Sequence, residues 1–186
     1  MIRVLHVVEN FNGQAVESWL SRLVAHPDFD REQLRFDFFL QGPAPGRDAD
    51  AMIERGCEIH EGNRSGYASL PQMAAALRRV VKSGDYDVVH IHQDVVAGVF
   101  AVWLADLGVP IVTHAHNCLQ QLPVGGKFKQ KALTYLAKSV VRLRSSAVVG
   151  VSEQALTGMV NGHRGSNARA KVIYCSAKLD TAHGAA

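Results

Sequence analysis

Short runs rich in valine, isoleucine and phenylalanine alternate along this chain with longer stretches whose apolar residues recur at helical spacing. The short runs predict strands, and the longer stretches predict amphipathic helices. Because the connections between them are short, the strands are expected to pair in parallel with helices packed on both faces. The pattern therefore predicts an α/β fold: a single doubly wound, Rossmann-like domain with a mostly parallel central sheet, three αβα layers and the strand order 3-2-1-4-5-6.

Strands and helices are predicted in strict alternation. The strands are expected at residues 2–8, 34–40, 57–60, 88–92, 111–114, 147–151 and 171–174. The helices are expected at residues 15–25, 48–55, 70–81, 95–107, 127–143 and 153–160. Residues 1–180 are thus predicted to form one domain, and residues 181–186 a tail.

The composition excludes several classes of protein. Hydrophobic residues make up 47% of the 186 residues and charged residues 20%, which is typical of a soluble globular domain and not of a disordered chain. The net charge of +3 is too small to indicate a nucleic-acid partner. Three cysteines without a CxxC motif favour a reduced, cytoplasmic location. We recognise neither a secretory signal nor an apolar run long enough for a membrane span.

Two of the most apolar predicted strands each end on a His-x-His pair, His90 with His92 and His114 with His116. In sheets of this kind ligands bind beyond the carboxyl ends of the strands, so the four imidazoles locate a candidate site. Residues i and i+2 of a strand share a face, and each pair could therefore converge on a metal ion. Only Asp94 supplies a nearby carboxylate, so we favour histidines that are hydrogen-bonded at the strand ends and predict no metal.

The turn after the first strand is the usual phosphate site of doubly wound folds, because the following helix offers free N–H groups and a partial positive charge. A dinucleotide-binding protein would carry GxGxxG there, whereas this chain reads NFNGQAVE over residues 10–17, with one glycine. The sequence thus disfavours a nicotinamide or flavin cofactor. The turn can still approach a diphosphate.

Five motifs resemble the N-terminal half of family-4 glycosyltransferases, which are retaining enzymes of the GT-B fold, with two Rossmann-like domains around a cleft. The motifs are VLHVVEN at residues 4–10, YDVVHIH at 86–92, PIVTHAHN at 110–117, SAVVGVSE at 146–153 and KVIY at 171–174. No single motif is specific, but the order and spacing of all five over residues 1–180 are. The resemblance implies that residues 181–186 begin a linker to a second domain.

The resemblance assigns roles to the matching positions. His116 matches the catalytic histidine of the cleft, where an imidazole can donate to a sugar hydroxyl or stabilise charge in an oxocarbenium-like transition state. Seven other positions are expected to bind substrate: Gly13, Gln14, Glu17, His92, Asn117, Ser152 and Glu153. The first two would approach the donor diphosphate, and the last two would begin a helix and hold a hydroxyl group. Glu17 fits an ordinary helix carboxylate equally well.

The function implied by the resemblance is the acceptor-binding half of a glycosyltransferase, a hexosyltransferase that moves a sugar from a nucleotide-diphospho-sugar with retention. That donor is a substrate, and no cofactor is expected. The family's basic pair and its Glu-x7-Glu signature are expected on a donor-binding domain, in cis or in trans. Glu9 and Glu17 have the Glu-x7-Glu spacing, which we interpret as a coincidence. The truncated chain alone is expected to be inactive, with a role in polysaccharide biosynthesis. The alternative is a non-catalytic α/β binding or scaffold domain that retains the fold.

Residues 127–144 carry six basic residues interleaved with apolar ones. A basic amphipathic helix is typical of peripheral contact with an anionic membrane, here beside a lipid-linked acceptor. We favour the alternative of a core-packed helix with solvated bases. The partners to be tested are therefore a sugar or lipid-linked acceptor, a membrane surface contacted through Lys127–Arg144, and a second copy bound through an exposed apolar face.

Overall fold

The computed structural model describes residues 1–13, 15–42, 46–62, 67–118, 126–160 and 169–174. Strands β1 to β7 cover Ile2–Val8, Leu34–Leu40, Ile59–Glu61, Val88–Ile91, Ile111–Ala115, Ala147–Gly150 and Ala170–Val172. Helices α1 to α6 cover Ala15–Ala25, Ala49–Glu54, Leu70–Ser83, Ala97–Leu104, Lys127–Arg144 and Glu153–Val160. Short 3-10 turns, Tyr67–Ser69 and Asp94–Val96, precede α3 and α4. None of the described helices combines the length and the apolar character needed to span a membrane.

The strands form one sheet in the order β3-β2-β1-β4-β5-β6-β7, and each neighbouring pair is parallel. The α/β class, the parallel sheet and the predicted strand order are thus confirmed, and β7 adds an edge strand beside β6. Since all these strands run in the same direction, their carboxyl ends meet at one edge of the sheet.

The two faces of the sheet carry separate apolar cores, which gives the three predicted layers. Alternate residues of β1 point to opposite faces. Leu5 and Val7 pack in a core that includes residues of α3 to α6, whereas Val4 and Val8 pack in a core that includes residues of α1 and α2. His6 lies between Val4 and Val8, and it therefore faces the α1 and α2 side of the sheet.

The bounds of several elements differ from the prediction by one or two residues, and the third strand, the fourth helix and the last strand have identifiable differences. The third strand starts at Ile59 rather than at residue 57, because the N–H of Cys57 bonds to the carbonyl oxygen of Met52 and closes α2. The predicted helix 95–107 begins as a 3-10 turn, and its α-helical part ends at Leu104, whose carbonyl accepts from Leu107 in a tighter turn. The last strand covers Ala170–Val172 rather than residues 171–174. The tail predicted at residues 181–186 lies outside the described residues.

Candidate functional site

Five imidazoles lie together on one face of the sheet, towards the carboxyl ends of its central strands. They come from three adjacent strands: His6 from β1, His90 and His92 from β4 and the residue after it, and His114 and His116 from β5 and the residue after it. The centroids of neighbouring rings lie between 4.1 and 5.4 Å apart. The structure thus brings together the four histidines predicted from the sequence and adds a fifth, and we call these five rings the histidine cluster.

Sequence reasoning missed His6, because it lies in the middle of a strand rather than at the end of one. In the parallel register His6 pairs with His90, so the two side chains share a face of the sheet. The signal was present in the sequence. The predicted order places the first strand beside the fourth, so His6 lies next to a His-x-His pair, and the register of the two strands decides whether it shares their face.

Three members of the histidine cluster form a chain of ring-to-ring hydrogen bonds. Nδ1 of His6 lies 3.0 Å from Nε2 of His92, and Nδ1 of His92 lies 3.1 Å from Nε2 of His116. The chain runs from the buried His6 through the buried His92 to His116, which is partly exposed. His92, predicted to bind substrate, is therefore buried and contacts His116, which is the more exposed of the two.

The direction of donation along this chain follows from burial. A neutral imidazole has one N–H donor and one acceptor nitrogen. If His116 donated to His92 and His92 to His6, Nε2 of His6 would carry a buried N–H that has no partner among the described residues. Donation outward leaves that nitrogen a bare acceptor, which is the less costly orphan. Burial therefore favours outward donation in the metal-free cluster, which places the N–H of His116 on Nδ1.

Burial keeps the histidine cluster uncharged near neutral pH. Desolvation, with smaller contributions from neighbouring imidazoles, lowers the pKa of His90 to about 3 and the pKa of His114 to about 2. The same causes hold the pKa values of His6 and His92 well below the ordinary value. The cluster therefore offers neutral donor and acceptor nitrogens rather than positive charge.

Asp94 fixes the segment that follows β5. Its backbone has φ +44°, in the left-handed region that aspartate tolerates better than most residues. One carboxylate oxygen accepts from the main-chain N–H groups of His116, at 2.7 Å, and Asn117, at 3.3 Å, and the other accepts from the Asn117 side-chain amide at 2.6 Å. Burial lowers the pKa of His116, and the Asp94 charge opposes that shift. Asp94, which the sequence indicates only as a nearby carboxylate, thus positions two predicted site residues.

The turn between β1 and α1 contains two more predicted positions. Gly13 has φ +79°, a conformation that favours glycine, and Gln14 lies outside the described residues. Glu17 is 4% exposed, and its Oε1 accepts from the main-chain N–H of Glu9 at 3.2 Å. Burial raises the pKa of Glu17. Glu17 is therefore a buried carboxylate that closes the turn, and not an ordinary solvated helix residue.

The turn between β6 and α6 contains the last two predicted positions. The Ser152 hydroxyl oxygen accepts from the main-chain N–H of Ala155 at 3.1 Å, as expected for a helix cap. Glu153 follows in the first turn of α6 with an exposed side chain. The N–H of Val151 bonds to the carbonyl of Ala115, which places this turn beside the end of β5. All the described site positions therefore lie along the carboxyl edge of the sheet or on its nearest turns.

Two groups of three imidazoles have the spacing of metal ligands. The inner triad is His6, His90 and His92, and the outer triad is His92, His114 and His116; in each, the ligand atoms lie within 4.8 Å of one another. The prediction that the histidines are hydrogen-bonded at the strand ends agrees with the contact between His92 and His116. Both ring nitrogens of His114, however, are buried without a hydrogen-bond partner among the described residues.

Three solved structures share this fold. The lipopolysaccharide outer core galactosyltransferase WaaB, in its apo form, has a TM-score of 0.67 at 11% identity over 97% of this chain and 47% of that one. Anabaena HepE in complex with UDP-glucose has a TM-score of 0.64 at 16% identity over 94% of this chain and 44% of that one. The Neisseria meningitidis UDP-GlcNAc 2-epimerase bound to UDP-GlcNAc has a TM-score of 0.57 at 13% identity over 92% and 45%. This chain thus spans less than half the length of these proteins.

The family is established by the sequence itself. Comparison with curated protein sequences gives no significant match. The model of the glycosyl transferase 4-like domain, however, matches residues 14–176, which is most of the chain. The resemblance to the N-terminal domain of family-4 glycosyltransferases of the GT-B fold is thereby confirmed. This chain belongs to the glycosyl transferase 4-like domain family.

Proposed function

We propose that this chain is the acceptor-binding half of a glycosyltransferase that transfers a sugar from a nucleotide-diphospho-sugar with retention of configuration. The observation that carries the proposal is His116, an imidazole held at the carboxyl edge of a parallel sheet by Asp94 and His92 in a glycosyl transferase 4-like domain. The donor class is supported by HepE, whose solved structure holds UDP-glucose, and by the epimerase bound to UDP-GlcNAc.

His116 would act as a fixed dipole rather than as a proton carrier. With Nε2 accepting from His92, its Nδ1–H remains to donate to a sugar hydroxyl. An uncharged ring does not repel the positive charge that develops on the sugar in an oxocarbenium-like transition state. The nearby Asp94 carboxylate favours that charge, and a prealigned donor needs no reorganisation during the reaction.

The turn after β1 would face the donor diphosphate. Gly13 lets the main chain turn sharply into α1, whose N-terminus favours an anion. A β-carbon at Gly13 would lie 3.0 Å from Nη2 of Arg47, so a guanidinium lies against this turn. The Arg47 side chain is 77% exposed and pairs with Asp48 at 3.6 Å, an arrangement from which a diphosphate can recruit it.

A donor-binding domain, in cis or in trans, would supply the remaining counter-charge for the leaving diphosphate. No cofactor is needed, since the nucleotide-sugar carries its own activated bond. The acceptor would be a sugar or a lipid-linked sugar, and the reaction a step in polysaccharide biosynthesis; the likeness to a lipopolysaccharide galactosyltransferase supports that setting.

Helix α5 supports a peripheral membrane contact beside a lipid-linked acceptor. Its buried side consists of Thr134, Ala137 and Val141, while Phe128 is 88% exposed and Leu143 81% exposed. The favoured core-packed interpretation accounts for the buried residues and leaves these apolar side chains in water among lysines and arginines. Such a surface is typical of helices that lie on anionic membranes.

The proposal is tested by reconstitution with the donor-binding half, supplied from the same or an adjacent reading frame. The purified chain, the donor-binding half and their mixture are each incubated with labelled nucleotide-sugars and a lipid extract. We expect labelled product from the mixture alone, with the anomeric configuration of the donor retained. Hydrolysis or transfer by this chain alone, inversion, or no transfer by the complete pair would each contradict the proposal.

A further inference from the structure

The outer triad of the histidine cluster has the geometry of a metal site. Nδ1 of His92 and Nε2 of His116 already lie 3.1 Å apart, and ligand atoms of His92, His114 and His116 all lie within 4.8 Å of one another. Two nitrogens bound to one tetrahedral Zn²⁺ at about 2.0–2.1 Å lie roughly 3.3–3.4 Å apart. The nitrogen separations therefore match those of a metal site, and the rings would rotate about their side-chain bonds to point their lone pairs at one ion.

His114 supplies the chemical reason for a ligand. Both of its ring nitrogens are buried without a hydrogen-bond partner among the described residues. A neutral imidazole carries an N–H and a lone pair, and leaving both unmatched in the interior is costly. A cation bound to the lone pair would satisfy one of these two nitrogens.

The surroundings favour the outer triad over the inner one. In the inner triad His6 packs against Phe36 and Phe38, with ring centroids 4.3 and 5.5 Å away, so an ion there would have little room for a fourth ligand. His116 is partly exposed, so the outer triad borders solvent and can take a water molecule. The Asp94 carboxylate, which accepts from the His116 main chain, adds negative charge near this position.

One of the three ligands, His92, also has a second histidine behind it. If Nδ1 of His92 binds the ion, its proton moves to Nε2, which lies 3.0 Å from Nδ1 of His6. His6 then accepts that N–H and its own proton moves to Nε2, so donation runs inward, the reverse of the metal-free arrangement, and the metal bonds must outweigh the buried N–H that this leaves on His6.

We propose that His92, His114 and His116 form a binding site for one divalent transition-metal ion of the zinc type, with a fourth position open to water. Three neutral imidazoles are a ligand set that zinc, cobalt, nickel and copper accept, whereas magnesium and calcium prefer oxygen. The ion would occupy Nε2 of His116 in place of the hydrogen bond with His92 and leave Nδ1 for substrate, so the metal site shares this residue with the proposed sugar transfer; metal binding is therefore measured without sugar transfer.

The test is a metal titration of the purified chain after removal of metals with a chelator. Co²⁺ is added first, because a tetrahedral site gives it a visible absorption band, and Zn²⁺ is then added to displace it. We expect one ion per chain, loss of the cobalt band on adding Zn²⁺, and a rise in melting temperature with either ion. No band and no change in melting temperature with excess Co²⁺ or Zn²⁺ would overturn the proposal.

Single substitutions assign the ligands. His114→Gln and His116→Gln should each weaken Co²⁺ binding by more than about tenfold, the smallest loss typical even of the layer behind the ligands. His90→Gln should bind Co²⁺ as the wild type does, and so should His26→Gln, a matched change at an exposed histidine. Loss of binding in His90→Gln with retention in His114→Gln would overturn this ligand set in favour of the inner triad. If His114→Gln does not fold, as judged by circular dichroism, the more exposed His116→Gln decides.

Discussion

Mild acid should destabilise this protein through the histidine cluster. Burial holds the pKa of His90 at about 3 and that of His114 at about 2, far below the value of about 6.5 in an unfolded chain. Below pH 6.5 the unfolded state therefore binds protons that the folded state does not. The sign follows directly: stability is complete above the unfolded pKa and is lost progressively as the pH falls.

The size of the effect can be worked out for these two residues. Each pH unit below 6.5 is worth about 1.4 kcal/mol for one histidine, so at pH 5 each loses about 2 kcal/mol and the pair about 4 kcal/mol. His6 and His92 shift in the same direction and add to the loss. A domain of ordinary stability has only about 5–15 kcal/mol in total, so the folded state should become marginal near pH 5.

The assay is urea unfolding followed by circular dichroism at pH 7 and pH 5, with a chelator present so that bound metal does not contribute. Between pH 7 and pH 5 we expect the free energy of unfolding of the wild type to fall by at least about 4 kcal/mol. In His90→Gln the fall should be smaller by about 2 kcal/mol, because one titrating imidazole is removed. His26→Gln, at an exposed position, should behave as the wild type does. A change below about 1 kcal/mol in the wild type would refute the claim that these imidazoles are buried and neutral.

Three further substitutions test the fold around the site, each by urea unfolding. Burial raises the pKa of Glu17, so its contribution to stability is lost as the pH rises through that raised value. Glu17→Gln should therefore be more stable than the wild type at pH 7, by a margin that shrinks as the pH falls towards 6, and a less stable variant at pH 7 would contradict this. A β-carbon at Gly98 would overlap the main-chain oxygen of Ala137, so Gly98→Ala should lower the free energy of unfolding by about 1–3 kcal/mol. An unchanged urea midpoint would show that α4 and α5 separate freely. Asp37 is fully buried and accepts from Arg3 at 2.8 Å, so Asp37→Asn should lower the free energy of unfolding by about 3–5 kcal/mol. The control Asp28→Asn, at an exposed position, should leave the free energy of unfolding unchanged.

The membrane contact of helix α5 is tested separately with vesicles. The wild type should sediment with anionic vesicles at low salt and be released at high salt, because charge attraction between exposed groups is screened. Phe128→Ser should bind less well at either salt concentration, since it removes an exposed apolar side chain without changing the charge. Absence of wild-type sedimentation at low salt would leave the core-packed interpretation as the correct one.

The strand order and most element bounds were predictable, because alternation of apolar runs with short connections leaves few parallel arrangements. The two His-x-His pairs were correctly placed at one edge of the sheet for the same reason. His6 escaped notice because its position depends on register across two strands, β1 and β4, that are distant in the sequence. A one-residue change of register would have turned it to the other face.

The electrostatics of the site could not be read from residue order. The left-handed conformation of Asp94, and its bonds to His116 and Asn117, depend on how the ends of β4 and β5 meet. The lack of partners for His114 depends on which side chains α1 brings near; the Trp19 ring lies with its centroid 6.0 Å away. These are tertiary contacts, and no local sequence pattern encodes them.

The most direct test of the proposed function is the effect of His116→Gln on sugar transfer by the chain combined with its donor-binding half. Glutamine keeps the size and a donor group but loses the ring that bonds to His92, while the main-chain bond to Asp94 is kept. We predict a fall in kcat of about 100-fold to 1,000-fold, typical for loss of one prealigned donor, with little change in KM for the donor and no change in His26→Gln. A kcat equal to that of the wild type would contradict the assignment of His116 to the reacting sugar.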